Sequence, residues 1–265
     1  SEAFVLPYRD KAVAEIIHPL GCSASKLKPI SPWIIRALAK QAAARHQSSE
    51  FSAAGSALEM ALWDILGKLL NAPLCDLLGG NHNRAIPIDG NIWSTTQWDV
   101  ASLETRATDL VAKGYRAIKN HPMLNHTAQN AANCLNQVRA AIGGDIALLV
   151  DLDSQNNANA AIQIAQAIEP AHPSWFEEPI DGGDIRALTQ IRKDQKLRVA
   201  TGEKHCGLSY FRAILAAGAA DILNADIAAI GGILDLLDIA ELAYQQGVQI
   251  SPDCWNSMTV AAAAM

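Results

Sequence analysis

The chain has 265 residues, half of them hydrophobic and 18% charged, a balance that permits a large buried core and excludes a disordered chain. Its formal net charge is −6 without a basic cluster, so it lacks the positive surface that nucleic acid or an anionic membrane would need. No apolar run is long enough to span a bilayer and no signal-peptide pattern opens the sequence. The five scattered cysteines (Cys22, Cys75, Cys134, Cys206, Cys254), never spaced as CxxC, are expected as unpaired thiols in a reducing, cytoplasmic setting.

Residues 1–84 read as one region. A short strand is expected over 2–6, then helices near 31–46 and 52–70. In the second helix Ala57, Leu58, Ala61, Leu62, Ile65, Leu66 and Leu69 share one broad apolar face, and Trp63 reads as core. Pro73 and the Gly79-Gly80 pair close the region. From 85 to 265 short apolar runs alternate with helical stretches. The runs are 85–89, 117–121, 147–153, 174–177, 198–203, 222–226 and 248–253, with helices expected near 97–113, 127–141, 156–169, 184–193, 208–217, 232–246 and from 256. Strands alternating with helices imply parallel pairing through right-handed crossovers. Seven such units predict an α/β fold of the (β/α)₈ barrel type, with the eighth beyond Met265. The sequence opens on a strand pattern at Ser1 and stops inside an Ala-rich stretch without a helix stop signal, so further polypeptide is expected at both ends.

Most of the expected strands end in an ionisable residue: Lys119 and His121, then Asp151 and Asp153, then Glu177, Glu203, Asp226 and Asp253. From Asp151 onward the steps are 26, 26, 23 and 27 residues, one βα unit each. Strand C-termini of a parallel barrel share one end, so these side chains should converge. One or two strand-end charges would be merely solvated; six consecutive strands ending this way, each carboxylate directly after apolar residues, point to a site. Three close carboxylates repel unless a cation neutralises them, and all-oxygen ligation suits Mg²⁺. Asp151, Glu177 and Glu203 are the expected ligands because their strands are adjacent. Asp153, two residues beyond Asp151, should face the same side and reach the outer shell or substrate. Lys119 and His121 are candidate proton acceptors.

These residues resemble the enolase superfamily, in its mandelate racemase and muconate-lactonising branch. The resemblance covers nearly the whole chain. Its most specific part is "SALEMALWDILGKLLNAPLCDLLGG" (56–80), followed in order by "LLVDLDS" (148–154), "WFEEP" (175–179), "ATGEKH" (200–205) and "ADIAAIGGI" (225–233). It implies an N-terminal α+β capping domain over 1–84 and a modified barrel over 85–265. It also implies a Mg²⁺-dependent enzyme that removes the proton α to a carboxylate and forms an enediolate. Asp151, Glu177 and Glu203 fall on the family's metal ligands, and Glu203 favours the racemase and sugar-acid dehydratase side. The second strand of this branch often carries Lys-x-Lys; here it reads Lys119-Asn120-His121. Either His121 is the base with Lys119 as electrostatic helper, or His121 only stacks or hydrogen-bonds at the rim. Asp226 matches the residue that normally orients a catalytic His, but Asp253 stands where that His is expected. A two-base racemisation is thereby put in doubt, whereas one base suffices for dehydration or cycloisomerisation. Asp253 could be an acid, its pKa raised by Asp226, or could bind a substrate hydroxyl.

His205 is a candidate substrate contact or a rim histidine; His82, His126 and His172 read as loop residues without chemistry. Gly231-Gly232 resembles a phosphate-binding turn but reads as close strand–helix packing, and Cys206 and Cys254 lack a convincing His base. The expected partner is a small-molecule carboxylate, and a homo-oligomer is expected because such barrels often assemble. Dehydration of a sugar acid leads; a racemase, epimerase or cycloisomerase, and a metal-binding barrel without catalysis, are the rivals.

Overall fold

The computed structural model describes residues 2–5, 8–46, 48–80, 85–93, 99–122, 127–154, 157–255 and 257–264. Leu6, His82, His126, the boundary at 84 and the expected helix starts at 97, 156 and 256 lie outside the described residues. In chain order the elements are α1 (Asp10–Ser25), α2 (Pro32–His46), α3 (Ser49–Leu70), α4 (Leu74–Leu77), β1 (Gly90–Asn91), α5 (Val100–Ala112), β2 (Ala117–Asn120), α6 (Ala128–Ile142), β3 (Ala147–Asp151) and α7 (Ala158–Ile168). A 3₁₀ turn at Glu169–Ala171 leads to β4 (Trp175–Glu177), α8 (Ile185–Asp194), β5 (Val199–Thr201), α9 (Leu208–Ala217), β6 (Ile222–Leu223), α10 (Ile227–Ile230), α11 (Ile233–Gln245), β7 (Gln249–Ile250) and α12 (Met258–Ala264). The strands stand in one sheet in the order β1-β2-β3-β4-β5-β6-β7, and β1 to β5 pair parallel. That order, with a helix between successive strands, is the (β/α)₈-type fold read from the sequence, with seven strands among the described residues.

Contacts divide the chain into two compact units. One is Ser1–Ala85 with Gly202–Ala213 and Leu223–Met265; the other is Ile86–Thr201 with Ile214–Ile222.

In the second unit the strands' period of two organises the core. Leu149, Trp175, Ala200 and Ile222 form one apolar cluster, with Ala117 and Ala147 packed against it. Two residues further along the same faces come Lys119, Asp151 and Glu177. Side chains at i and i+2 share a face, so a charged layer sits directly on an apolar one. The helices are started by side-chain caps: Asp99, Thr127, Asn157 and Asp184 each accept a backbone N–H. Each such cap contributes on the order of 1 kcal/mol.

In the first unit α3 is capped by Ser48 and closed by Asn71 in the left-handed conformation. Its buried face is Ala53, Ser56, Ala57, Glu59, Met60 and Trp63, whereas Ile65 and Leu69 of the expected apolar face are 50% and 76% exposed. Small residues decide this: a Cβ on Gly55 would lie 2.5 Å from Ala39 Cβ, so only glycine lets α2 and α3 approach so closely.

Three further expectations are corrected. No strand forms among residues 2–5; Phe4 makes a single backbone bond to the Ala228 carbonyl rather than a ladder. The strand expected over 85–89 is instead β1 at Gly90–Asn91, and Ile86 and Ile88 are exposed, because Pro87 between them has no N–H to give a ladder. Where no helix was expected ahead of residue 31, α1 forms; it carries Pro19 inside it and buries Val13, Leu20 and Ala24. Among the described residues no helix is long and apolar enough to cross a membrane, and none of the five cysteines is in a disulfide.

Candidate active site

Asp151 ends β3 and Glu177 ends β4, directly opposite one another in parallel register. Neighbouring strands lie about 4.8 Å apart, so register alone sets these two carboxyls side by side. Glu203 comes two residues after β5. One carboxylate oxygen each from Asp151, Glu177 and Glu203 falls within 4.8 Å of the other two. Glu177 is fully buried, which is tolerable because both oxygens are bonded: Lys119 Nζ donates to Oε1 at 2.9 Å and Trp175 Nε1 to Oε2 at 3.1 Å.

Lys119 and His121 leave β2 on alternate residues. His121 is buried, its ring edge-on to Trp93 at 6.0 Å, and Nδ1 lies 2.7 Å from the Asp151 carbonyl oxygen. A carbonyl only accepts, so Nδ1 carries the hydrogen, and in the neutral ring the lone pair is on Nε2. The backbone of one carboxylate residue thus sets the tautomer of the imidazole.

Asp153 does not follow strand alternation. It lies beyond the end of β3 with φ 52°, and its N–H donates to Asp151 Oδ1 at 2.8 Å. What it does directly is hold one oxygen of the Asp151 carboxylate. His205, also past its strand, stacks on Tyr210 at 4.1 Å between ring centroids.

Asp226 and Asp253 are described within the other unit. Asp226 is fully buried and caps α10, its Oδ1 accepting from the Ala228 N–H at 2.7 Å. Burial pushes its carboxyl up to about 7; backbone N–H bonds oppose this and the charge of Asp253 adds to it. Burial is thus the first cause that raises the Asp226 carboxyl, and the neighbouring Asp253 charge is a secondary one. Burial pushes the Cys206 thiol up, the reverse of activation.

Residues 102–265 match the family described as enolase C-terminal domain-like, and residues 26–79 match the mandelate racemase/muconate lactonizing enzyme N-terminal domain. The chain belongs to the mandelate racemase/muconate lactonizing enzyme branch of the enolase superfamily. It is similar to a D-gluconate dehydratase of Thermoproteus tenax, 32% identical over 77% of this chain and 43% of that protein. A D-galactarolactone cycloisomerase of Agrobacterium fabrum is 30% identical over 79% of this chain and 56% of that protein. The chain thus spans about half the length of these curated relatives. Among solved structures, an enolase from environmental shotgun sequencing of the Sargasso Sea superposes with a TM-score of 0.91 at 35% identity, covering 99% of this chain and 70% of that one.

The carboxylates of this enolase-superfamily chain suit a hard divalent ion. Two oxygens on one Mg²⁺ lie no more than about 4.2 Å apart, so a set within 4.8 Å needs only small side-chain adjustment to close on one. Sequence reasoning named all three carboxylates but passed over Glu178, the second Glu of "WFEEP", which is fully buried and bonded to hydroxyls on both flanking segments. A second carboxylate next to a strand-end one, where alternation turns it to the other face, was the signal available.

Proposed function

We propose that this chain removes the proton α to the carboxylate of a sugar acid or related hydroxy acid and expels water from the β-carbon, with Mg²⁺ held by Asp151, Glu177 and Glu203. The observation that carries the proposal is the carboxylate set within 4.8 Å, with Lys119 bonded to one member and His121 to the backbone of another. The dehydratase among the relatives supports the same reading. The proposed division of labour sets 1–84 as cap and 85–265 as barrel.

A divalent cation on the trio would supply positive charge to the oxygens of the substrate carboxylate, making the α-proton more acidic. The chain's residues do the rest. His121 takes the α-proton on Nε2, because Nδ1 is committed to the Asp151 carbonyl. Lys119 is a donor to Glu177 and acts by its charge, stabilising the enediolate. As the β-carbon–oxygen bond breaks, the hydroxyl leaves as water with a proton from the Asp226/Asp253 pair. A carboxyl held protonated to about 7 can supply it. The enol then tautomerises to a 2-keto-3-deoxy acid. Asp153 and His205 are assigned to substrate. A second reading, cycloisomerisation, also needs only one base and is favoured by the cycloisomerase among the relatives.

Incubating the protein with Mg²⁺ and a panel of sugar acids in D₂O tests this. Dehydration gives a keto-deoxy product and cycloisomerisation a product of unchanged mass; either should fall by roughly 10²–10⁴ in His121→Ala and be lost in Glu203→Gln. Exchange that survives His121→Ala would move the base to Lys119. Tight Mg²⁺ binding with neither exchange nor turnover on any acid would count against catalysis.

A further inference from the structure

We propose that Glu178 is a positioning residue that fixes the spacing of the three metal-binding carboxylates by clamping the strand ends on either side of its own. The inference rests on the reading of Asp151, Glu177 and Glu203 as metal ligands. Glu178 follows Glu177 directly and is fully buried. Its two carboxylate oxygens are divided between neighbours: Oε1 accepts from Thr201 Oγ1 at 2.7 Å and Oε2 from Ser154 Oγ at 2.6 Å. Its backbone repeats the pattern. The Glu178 N–H donates to the Ala200 carbonyl at 2.9 Å, and the Glu178 carbonyl accepts from the Ser154 N–H at 2.9 Å.

Ser154 lies three residues after Asp151, and Thr201 two residues before Glu203. One residue therefore makes four bonds, two to each flanking segment, and each segment carries one of the other two carboxylates. The register that sets Asp151 opposite Glu177 ends at β3 and β4, and Glu203 follows the end of β5 by two residues. Thr201, which Glu178 holds, is the last residue of β5. Glu178 itself has φ 41°, a left-handed conformation uncommon for a residue other than glycine, asparagine or aspartate. Such a backbone persists only where the surroundings over-determine it, and the four bonds do that. Groups that orient ligands through hydrogen bonds typically govern metal affinity by 10- to 100-fold.

Mn²⁺, visible by electron paramagnetic resonance, is the probe, and its Kd is measured by direct titration of the protein. Glu178→Gln should weaken Mn²⁺ binding by roughly 10- to 100-fold. Because that change also removes a charge, Thr201→Val and Ser154→Ala are the deciding variants: each keeps the carboxylate and removes one donor. Each should weaken Mn²⁺ binding and broaden its spectrum, and Thr201→Ser, which restores the hydroxyl, should return the affinity to near the original. If Glu178→Gln weakens binding while Thr201→Val and Ser154→Ala leave it unchanged, Glu178 acts by charge alone and the positioning role is overturned. Unchanged affinity in every variant overturns it too. An unsubstituted protein that fails to bind Mn²⁺ brings down the metal-site reading and this inference together, an outcome distinct from the other two. Thermal denaturation of each variant separates lost affinity from lost fold.

Discussion

Asp226 is a buried acid whose proton is tied to folding. Its carboxyl sits at about 7 in the fold against 3.8 in the unfolded chain, with burial as the first cause. Between those values the folded chain keeps a proton that the unfolded chain has given up, so stability falls as pH rises. The contribution is fully present below 3.8 and is lost as pH climbs through 7. The slope should be on the order of 1 kcal/mol per pH unit. Asp226→Asn keeps an oxygen to cap α10 and removes the titration. Urea unfolding at pH 5 and 7.5, in EDTA, should therefore show a smaller pH dependence in the variant. Equal slopes would mean that Asp226 titrates normally. At this scale the sequence was readable for strand-end charges, because alternation and unit length place them. It was not readable for how deeply Asp226 is buried, which is what raises its carboxyl.

Helix α3 and the turn before α11 show what elements add. Gly231-Gly232 resembles an anion-binding turn in sequence, and an acidic side chain does sit there: Glu59, whose carboxyl burial pushes up. It accepts the N–H groups of Ile233 and Leu234 at 2.9 and 3.1 Å and Trp63 Nε1 at 2.8 Å, while Ser56 Oγ takes the Gly231 N–H. An internal side chain thus caps α11 and explains why a glutamate faces inward from α3. The helical period marked 57–69 as the buried face because leucine and isoleucine dominate it. The buried face instead mixes small residues with Ser56, Glu59, Met60 and Trp63, set by the α2 approach at Gly55 and by this cap, which joins positions about 175 residues apart. Glu59→Ala should cost roughly 3–5 kcal/mol, because it leaves three donors buried without an acceptor. Gly232 gives a sharper test. Its φ of +100° matches the +98° of Gly114, but a Cβ at 232 would meet Glu59 Oε2 at 2.3 Å while one at 114 would meet nothing within 4 Å. Gly232 also lies at ψ −165°, a region essentially reserved for glycine, so Gly232→Ala should cost more than Gly114→Ala by at least roughly 1–3 kcal/mol, the range for overpacking. Equal denaturant midpoints would show that the Glu59 side chain can step aside.

At the scale of the whole chain the carboxylate set links metal binding to folding. The net charge is −6, and part of that charge is gathered where Asp151, Glu177 and Glu203 approach within 4.8 Å. Lys119 relieves Glu177 directly and the Lys204 ammonium lies 3.8 Å from Glu203, but two positive charges do not balance three carboxylates. An unfolded chain separates these residues by 26 positions at each step and has no reason to hold an ion between them. A cation that binds the fold and not the unfolded chain stabilises by mass action, about 2.7 kcal/mol at a concentration 100 times Kd. For a chain of this size each kcal/mol moves Tm by roughly 2–4 °C, so saturating Mg²⁺ over EDTA should raise Tm by about 5–10 °C. Glu203→Gln removes one negative ligand, so its Tm without metal should stay close to the original or rise as repulsion eases, while the increment on adding Mg²⁺ shrinks. The two effects have opposite signs, which general damage to the fold could not produce. A Tm indifferent to Mg²⁺ at neutral pH, in a protein otherwise well folded, would mean that Lys119 and solvent already satisfy the carboxylates, and the metal assignment would have to be withdrawn.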